Sequence, residues 1–226
     1  MTASTGPLAL VGGGEWTDGC SFDVDLLAAA GGGPVVVLTT AAAYENPARL
    51  LDRARSWFEV LGAEVVDGGV LSRRDGATDE AVARVAGARF IYLSGGSPMH
   101  LRSVLKDSPL FDALLGAWRS GAVLAGSGAG ADVCCDPMVD PRGGAFTVGL
   151  GVLPGVSIIP RFEEWSPDKV HRTVDLAPAG LFVVGVPQRT AVIRSADGSW
   201  RAAGDGEVSV FRGGERLEVA ALPTGP

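Results

Sequence analysis

The stretch Ala122-Val-Leu-Ala-Gly-Ser-Gly-Ala-Gly-Ala-Asp132 decides how the chain is read. An apolar run breaks into small residues and then resumes, which reads as strand, sharp turn and helix. Gly126, Gly128 and Gly130 have the glycine spacing of a nucleophile elbow, G-x-S-x-G, in which the flanking glycines let a strained backbone lift one side chain above a sheet. The lifted position is Gly128, which has no side chain. One reading keeps the elbow as architecture with the reaction gone. A second shifts the frame by one residue and makes Ser127 the nucleophile, since Ala125 and Ala129 are small enough to crowd a tight turn only mildly. A plain glycine-rich turn without chemistry fits an isolated match as well.

Outward from the elbow, apolar runs alternate with helical spacing. Pro7-Leu-Ala-Leu-Val11 and Pro34-Val-Val-Val-Leu-Thr39 read as central strands of the kind buried on both faces of a parallel sheet. Helices are expected at 22–30, 47–61, 79–86, from Pro98 through Leu105, at 109–120 and at 167–176, and further strands at 64–67, 89–94, 156–159 and 181–184. In the 47–61 helix, Leu50, Leu51, Ala54, Trp57, Phe58 and Leu61 share one side; in the 109–120 helix the inner face is Leu110, Leu114, Leu115 and Trp118. Residues 136–151 read as loop. From Thr190 onward, short alternating runs separated by Asp197-Gly198, Asp205-Gly206 and Gly213-Gly214 predict antiparallel strands at one edge of the sheet. The fold class is therefore α/β, a mostly parallel sheet sandwiched by helices, in a single domain over residues 1–226.

Composition sets the outer limits. Apolar residues make up 46% and charged residues 20%, as in globular chains, and the net charge of -7 argues against general attraction to nucleic acid or anionic membrane. Three cysteines, Cys20, Cys134 and Cys135, imply neither a disulfide framework nor a zinc site, which fits a reducing cytoplasm. Residues 1–6 lack a basic segment followed by an apolar core, and no run approaches the roughly 18 apolar residues of a membrane span. A soluble, unexported protein is expected, with no cofactor and no metal.

In an open parallel sheet, ligands bind at the carboxyl ends of the strands. Four strand-ending turns, at 12–14, 39–43, 95–97 and 126–130, are therefore expected to meet on one edge. There the backbone amides of Gly95, Gly96 and Ala129 become candidate oxyanion donors. The 12–14 glycine triplet lacks G-x-G-x-x-G spacing and a following Lys-Ser or Lys-Thr, so it does not read as a nucleotide site. His100 and His171 are the only histidines; either is a candidate base for Ser127, or an ordinary surface residue. Asp132 and Cys134 are candidates for proton or nucleophilic work in the same crevice.

Three motifs in order, Tyr92-Leu-Ser-Gly-Gly-Ser-Pro-Met-His-Leu101, Ala125-Gly-Ser-Gly-Ala-Gly-Ala131 and Asp136-Pro-Met-Val-Asp-Pro-Arg-Gly-Gly144, resemble the serine peptidase family of dipeptidase E and cyanophycinase. The similarity runs from Leu8 to about Arg212. It implies a class I glutamine-amidotransferase-like fold, a serine in a Gly-x-Ser-Ala-Gly-Ala turn, a histidine base on a later strand-end loop, an acidic partner and glycine amides as oxyanion donors. It also implies hydrolysis of small aspartyl dipeptides or of the aspartate-arginine polymer cyanophycin. Carried over by position, the nucleophile falls on Gly128 and the histidine on Arg161 of Ile158-Ile-Pro-Arg-Phe-Glu163. An acidic motif before a Thr-Ala pair becomes Pro187-Gln-Arg-Thr-Ala191.

Arginine keeps its proton at any working pH and cannot serve as general base. Triad members act as a unit, so loss of both serine and histidine predicts a catalytically degenerate member. Its expected ligand is a small acidic peptide or amino-acid derivative, with a homodimer as a candidate assembly. Arg161 and Asp132 add charge: Arg161 either faces the old pocket and favours a carboxylate, or pairs with Asp132 or Glu163 and merely fills the site.

Overall fold

In β1 (Leu8–Val11) every residue is buried, and successive side chains leave on opposite faces: Leu8 and Leu10 join one core cluster, Ala9 and Val11 another. The same alternation splits Val36 and Leu38 of β2 (Val35–Leu38) from Val35 and Val37, which is what a strand covered on both sides requires. This architecture comes from a computed structural model that describes residues 5–140 and 142–225. Residues 1–4, within the segment read above for a leader, and Pro141 of the expected loop lie outside the described residues.

The elements that follow are α1 (Phe22–Ala30), α2 (Pro47–Val60), β3 (Val65–Asp67), α3 (Asp79–Ala86), β4 (Phe90–Leu93), α4 (Pro98–Leu105), α5 (Pro109–Arg119), β5 (Val123–Ser127) and α6 (Ala129–Cys134). Two-residue ladders β6 (Cys135–Asp136), β7 (Met138–Val139), β8 (Phe146–Thr147) and β9 (Leu153–Pro154) punctuate the expected loop. Then come β10 (Val156–Pro160), α7 (Pro167–Asp175), β11 (Phe182–Val186), β12 (Thr190–Arg194), β13 (Trp200–Gly204), β14 (Ser209–Arg212) and β15 (Glu215–Leu217).

The main sheet has the order β13-β12-β1-β5-β4-β2-β3, with β1, β5, β4, β2 and β3 parallel and β12 and β13 antiparallel at one edge. Phe22 and Leu26 of α1 and Leu51, Ala54 and Phe58 of α2 cover one face. Side chains of α3 to α6, such as Val85, Leu101, Leu114 and Ala131, cover the other. In α5 the buried set is Leu110, Leu114, Ala117 and Trp118, so Ala117 takes the place expected of Leu115. No helix of the described residues is long and apolar enough to cross a membrane.

The tail departs from expectation in one respect. β12 and β13 do extend the main sheet, but β14 and β15 join β10 and β11 in a separate four-stranded sheet. Val183 pairs with Phe211, and Ile159, Leu181 and Val183 form their own core cluster with Val139 and Val174. Local alternation specifies strands; which sheet they enter depends on which partner offers an apolar face.

Candidate functional site

The elbow forms as a strand-to-helix turn with Gly128 at its apex, φ 51° and ψ −108°, between β5 and α6. The Gly128 N–H donates to the Val11 carbonyl at 2.9 Å, and one turn on the Asp132 N–H donates to the Gly128 carbonyl at 2.9 Å. The three glycines have different reasons to be there. A Cβ on Gly126 would stand 2.4 Å from the Gly130 carbonyl oxygen, and one on Gly130 would stand 2.3 Å from the Leu93 carbonyl oxygen. A Cβ on Gly128 would meet only the Gly95 Cα, at 3.7 Å. The flanking glycines are demanded by packing. The apex has room for a side chain and carries none.

All four strand-ending turns do converge. Gly13, Gly14, Ala42, Gly95, Gly96, Gly128 and Ala129 line one cavity of about 800 Å³ at the carboxyl ends of the parallel strands. Its walls are completed by Arg49 and Arg53 of α2, by Pro160 and Arg161 at the end of β10, and by Trp165, Lys169 and Gln188. Of the five non-glycine residues with positive φ among the described residues, Asn46 and Arg161 line the cavity, and Trp16 and Arg189 adjoin Glu15 and Gln188, which do. Strained backbone concentrates at functional sites, so this clustering supports the assignment.

Glu15 was not singled out in the sequence and is central here. It is 6% exposed; its Oε1 accepts from the Gly95 N–H at 2.9 Å and its Oε2 from the Ser127 hydroxyl at 2.7 Å. The expectation that the Gly95 amide stands open as an oxyanion donor is thereby corrected: an internal carboxylate already occupies it. The only sequence signal was Glu15 following the 12–14 glycine triplet at a strand end.

Ser127, the alternative nucleophile, is the last residue of β5, fully buried below the apex, and its hydroxyl is committed to Glu15. Neither histidine supports it. His100 Nε2 lies 2.9 Å from the Leu71 carbonyl oxygen with its ring edge-on to Tyr44, and His171 pairs with Asp175 at 3.2 Å. The shifted-frame reading is therefore without its base.

Arg161 lines the cavity, half exposed and in the left-handed conformation at φ 52°. Its partner is neither Asp132 nor Glu163, as the filling alternative required, but Glu164 at 3.7 Å; Glu163 instead accepts from the Gln188 N–H. Asp132 also lines the cavity, with Oδ1 accepting from the Val139 N–H at 3.1 Å. Burial pushes its carboxyl well above the ordinary carboxylate range, countered by the Val139 hydrogen bond. Lys169 sits 3.5 Å over the Trp165 ring, and burial lowers the ammonium's proton affinity. No three His, Cys, Asp or Glu side chains gather to hold a metal among the described residues.

Cys134 and Cys135 are buried, and burial raises the Cys134 thiol to about 12. A thiol-reactive dye added to the native protein at pH 8 is expected to leave both unlabelled over an hour, while the unfolded chain labels fully. Rapid native labelling of Cys134 would revive a nucleophilic role for it.

The family model for peptidase family S51 matches residues 8–198. A cyanophycinase of Synechococcus elongatus is 28% identical over 150 residues, covering 61% of this chain and 46% of the relative, so this chain matches under half of that protein's length. A peptidase E of Citrobacter koseri is 28% identical over 163 residues, covering 65% of this chain and 68% of the relative. The crystal structure of a peptidase from an acI-B1 Actinobacterium superposes with a TM-score of 0.85 at 29% identity, covering 98% of this chain and 97% of that one. With the elbow, the convergent turns and this match over most of its length, the chain belongs to peptidase family S51.

Proposed function

We propose that this protein is a catalytically degenerate member of the family that binds a small acidic peptide or amino-acid derivative without the Ser-His mechanism. The carrying observation is the cavity's composition. A bare Gly128 stands at the apex, and Arg49 and Arg53 line the wall without an ion-pair partner among the described residues, in a cavity shared with Arg161 and Lys169. Unpaired guanidinium groups beside a cavity favour planar carboxylates, which accept two parallel hydrogen bonds. The bare apex offers no attacking oxygen, and no histidine lines the cavity. Three free, buried cysteines fit a reducing compartment.

Calorimetric titration with the dipeptide Asp-Asp tests this reading. Measurable binding is expected at 50 mM salt, weakened in Arg53→Ala and in Arg161→Ala by about threefold to tenfold each, with Leu-Leu not binding. Turnover of aspartyl dipeptides is expected to be absent. Hydrolysis that disappears in Ser127→Ala with the fold intact would sink the proposal, and so would equal affinity for Asp-Asp and Leu-Leu.

A further inference from the structure

We propose that Glu15 seats a primary ammonium group of the ligand, so that the cavity selects molecules carrying a free amine beside their carboxylates. The inference rests on the acidic-ligand reading above and deepens it. Glu15 lines the cavity at 6% exposure, yet both its hydrogen-bond donors, the Gly95 N–H and the Ser127 hydroxyl, are neutral. No Lys, Arg or His pairs with it among the described residues. Withdrawing a carboxylate from water costs several kcal/mol, and buried charges are normally paired with a counter-charge.

The protein's own surroundings do not supply that charge. Two buried groups feel the charge of Glu15, Asp23 of α1 and Tyr92 of β4, and neither is a cation; the cations that line the same cavity, Arg49, Arg53, Arg161 and Lys169, form no ion pair with Glu15 among the described residues. Each carboxylate oxygen can accept a second hydrogen bond, so Glu15 retains acceptor capacity for an ammonium with its three donors. Glu15 and the Gly128 apex line the same cavity. Gly95, whose amide holds Glu15, is also the residue facing the open side of Gly128, where a Cβ would have no other neighbour within 4 Å. Glu15 and the arginines lining one cavity then describe a ligand with its amine at Glu15 and its carboxylates toward Arg49 and Arg53.

Glu15 also braces the 12–20 loop against β4 and β5, a purely structural role that would make ligand amines irrelevant. The two are separated by titrating the full chain at pH 7 with Asp-Asp and with N-acetyl-Asp-Asp. Acetylation is expected to weaken binding at least about tenfold in the wild type, and Glu15→Gln to bind both ligands alike. Raising the pH to 9.5 should erase the wild-type preference, because a peptide α-amino group titrates near 8. If Glu15→Gln fails to fold, the wild-type ratio and its loss at pH 9.5 still decide. Equal binding of both ligands by the wild type overturns the ammonium seat while leaving the acidic-ligand reading in place. Discrimination that survives in a folded Glu15→Gln overturns the assignment to Glu15. Failure of both ligands to bind at pH 7 overturns both proposals.

Discussion

Gly126→Ala and Gly130→Ala are each expected to cost more than about 3 kcal/mol of stability, a fall in Tm of roughly 6 °C or more for a chain of this size. The added carbon has nowhere to go. At Gly126 it would stand 2.4, 2.5 and 2.7 Å from backbone atoms of Gly130 and Ala131, and at Gly130 2.3 Å from the Leu93 carbonyl oxygen. None of these is the flexible end of a side chain, so α6 would have to move off β4 and β5. Gly128→Ala meets only ordinary contact at 3.7 Å, and its cost is the φ of 51° and ψ of −108°, about 1–3 kcal/mol for a residue with a Cβ. Urea denaturation of the three variants should rank Gly128→Ala as clearly the mildest. A Gly128→Ala as damaging as the other two would show that the apex is sterically closed, and that its glycine is structural.

Asp23→Asn is expected to raise stability, and to do so more at pH 8 than at pH 5. Asp23 is fully buried in α1; its Oδ2 accepts from Trp57 Nε1 at 2.9 Å, while Oδ1 has no partner. Burial, countered by the Trp57 bond and assisted by the charge of Glu15, raises its carboxyl from 3.8 to about 7. The folded state therefore holds this proton more tightly than the unfolded chain does. The favourable contribution is complete below pH 3.8 and is lost as pH climbs to about 7. The full gap corresponds to roughly 4 kcal/mol at about 1.4 kcal/mol per tenfold change in proton affinity. Between pH 5 and pH 8 the advantage of the asparagine variant should grow by about 2 to 3 kcal/mol. Parallel stability curves for the two proteins across that range would rule out a raised Asp23.

The fold was legible because its signals are local. The doubly buried runs at Leu8–Val11 and Val35–Leu38, the prolines opening α2, α4, α5 and α7, and the 126–130 glycines each declare their structure within a few residues. So did the meeting of four turns on one edge, because parallel strands place their carboxyl ends together. Other parts of the site were not legible. Glu15 reaches Gly95 and Ser127 across 80 and 112 residues, and its place after a glycine triplet at a strand end does not announce that reach. Arg49 and Arg53 lie outside the apolar side named for the 47–61 helix, and both are exposed. Only the placement of α2 turns them toward the cavity.

By itself the amino-acid sequence determined the alternation of strands and helices, the elbow turn with Gly128 at its apex, and the presence of Gly128 and Arg161 at two of the positions that line the crevice. These are matters of residue type and short-range backbone preference. Tertiary structure decided the electrical character of the site: that Glu15 accepts from the Gly95 amide, that burial raises the Asp132 carboxyl, and that Arg161 faces Glu164. Charge state and partnership depend on burial and on distances across the fold, which chain order does not carry.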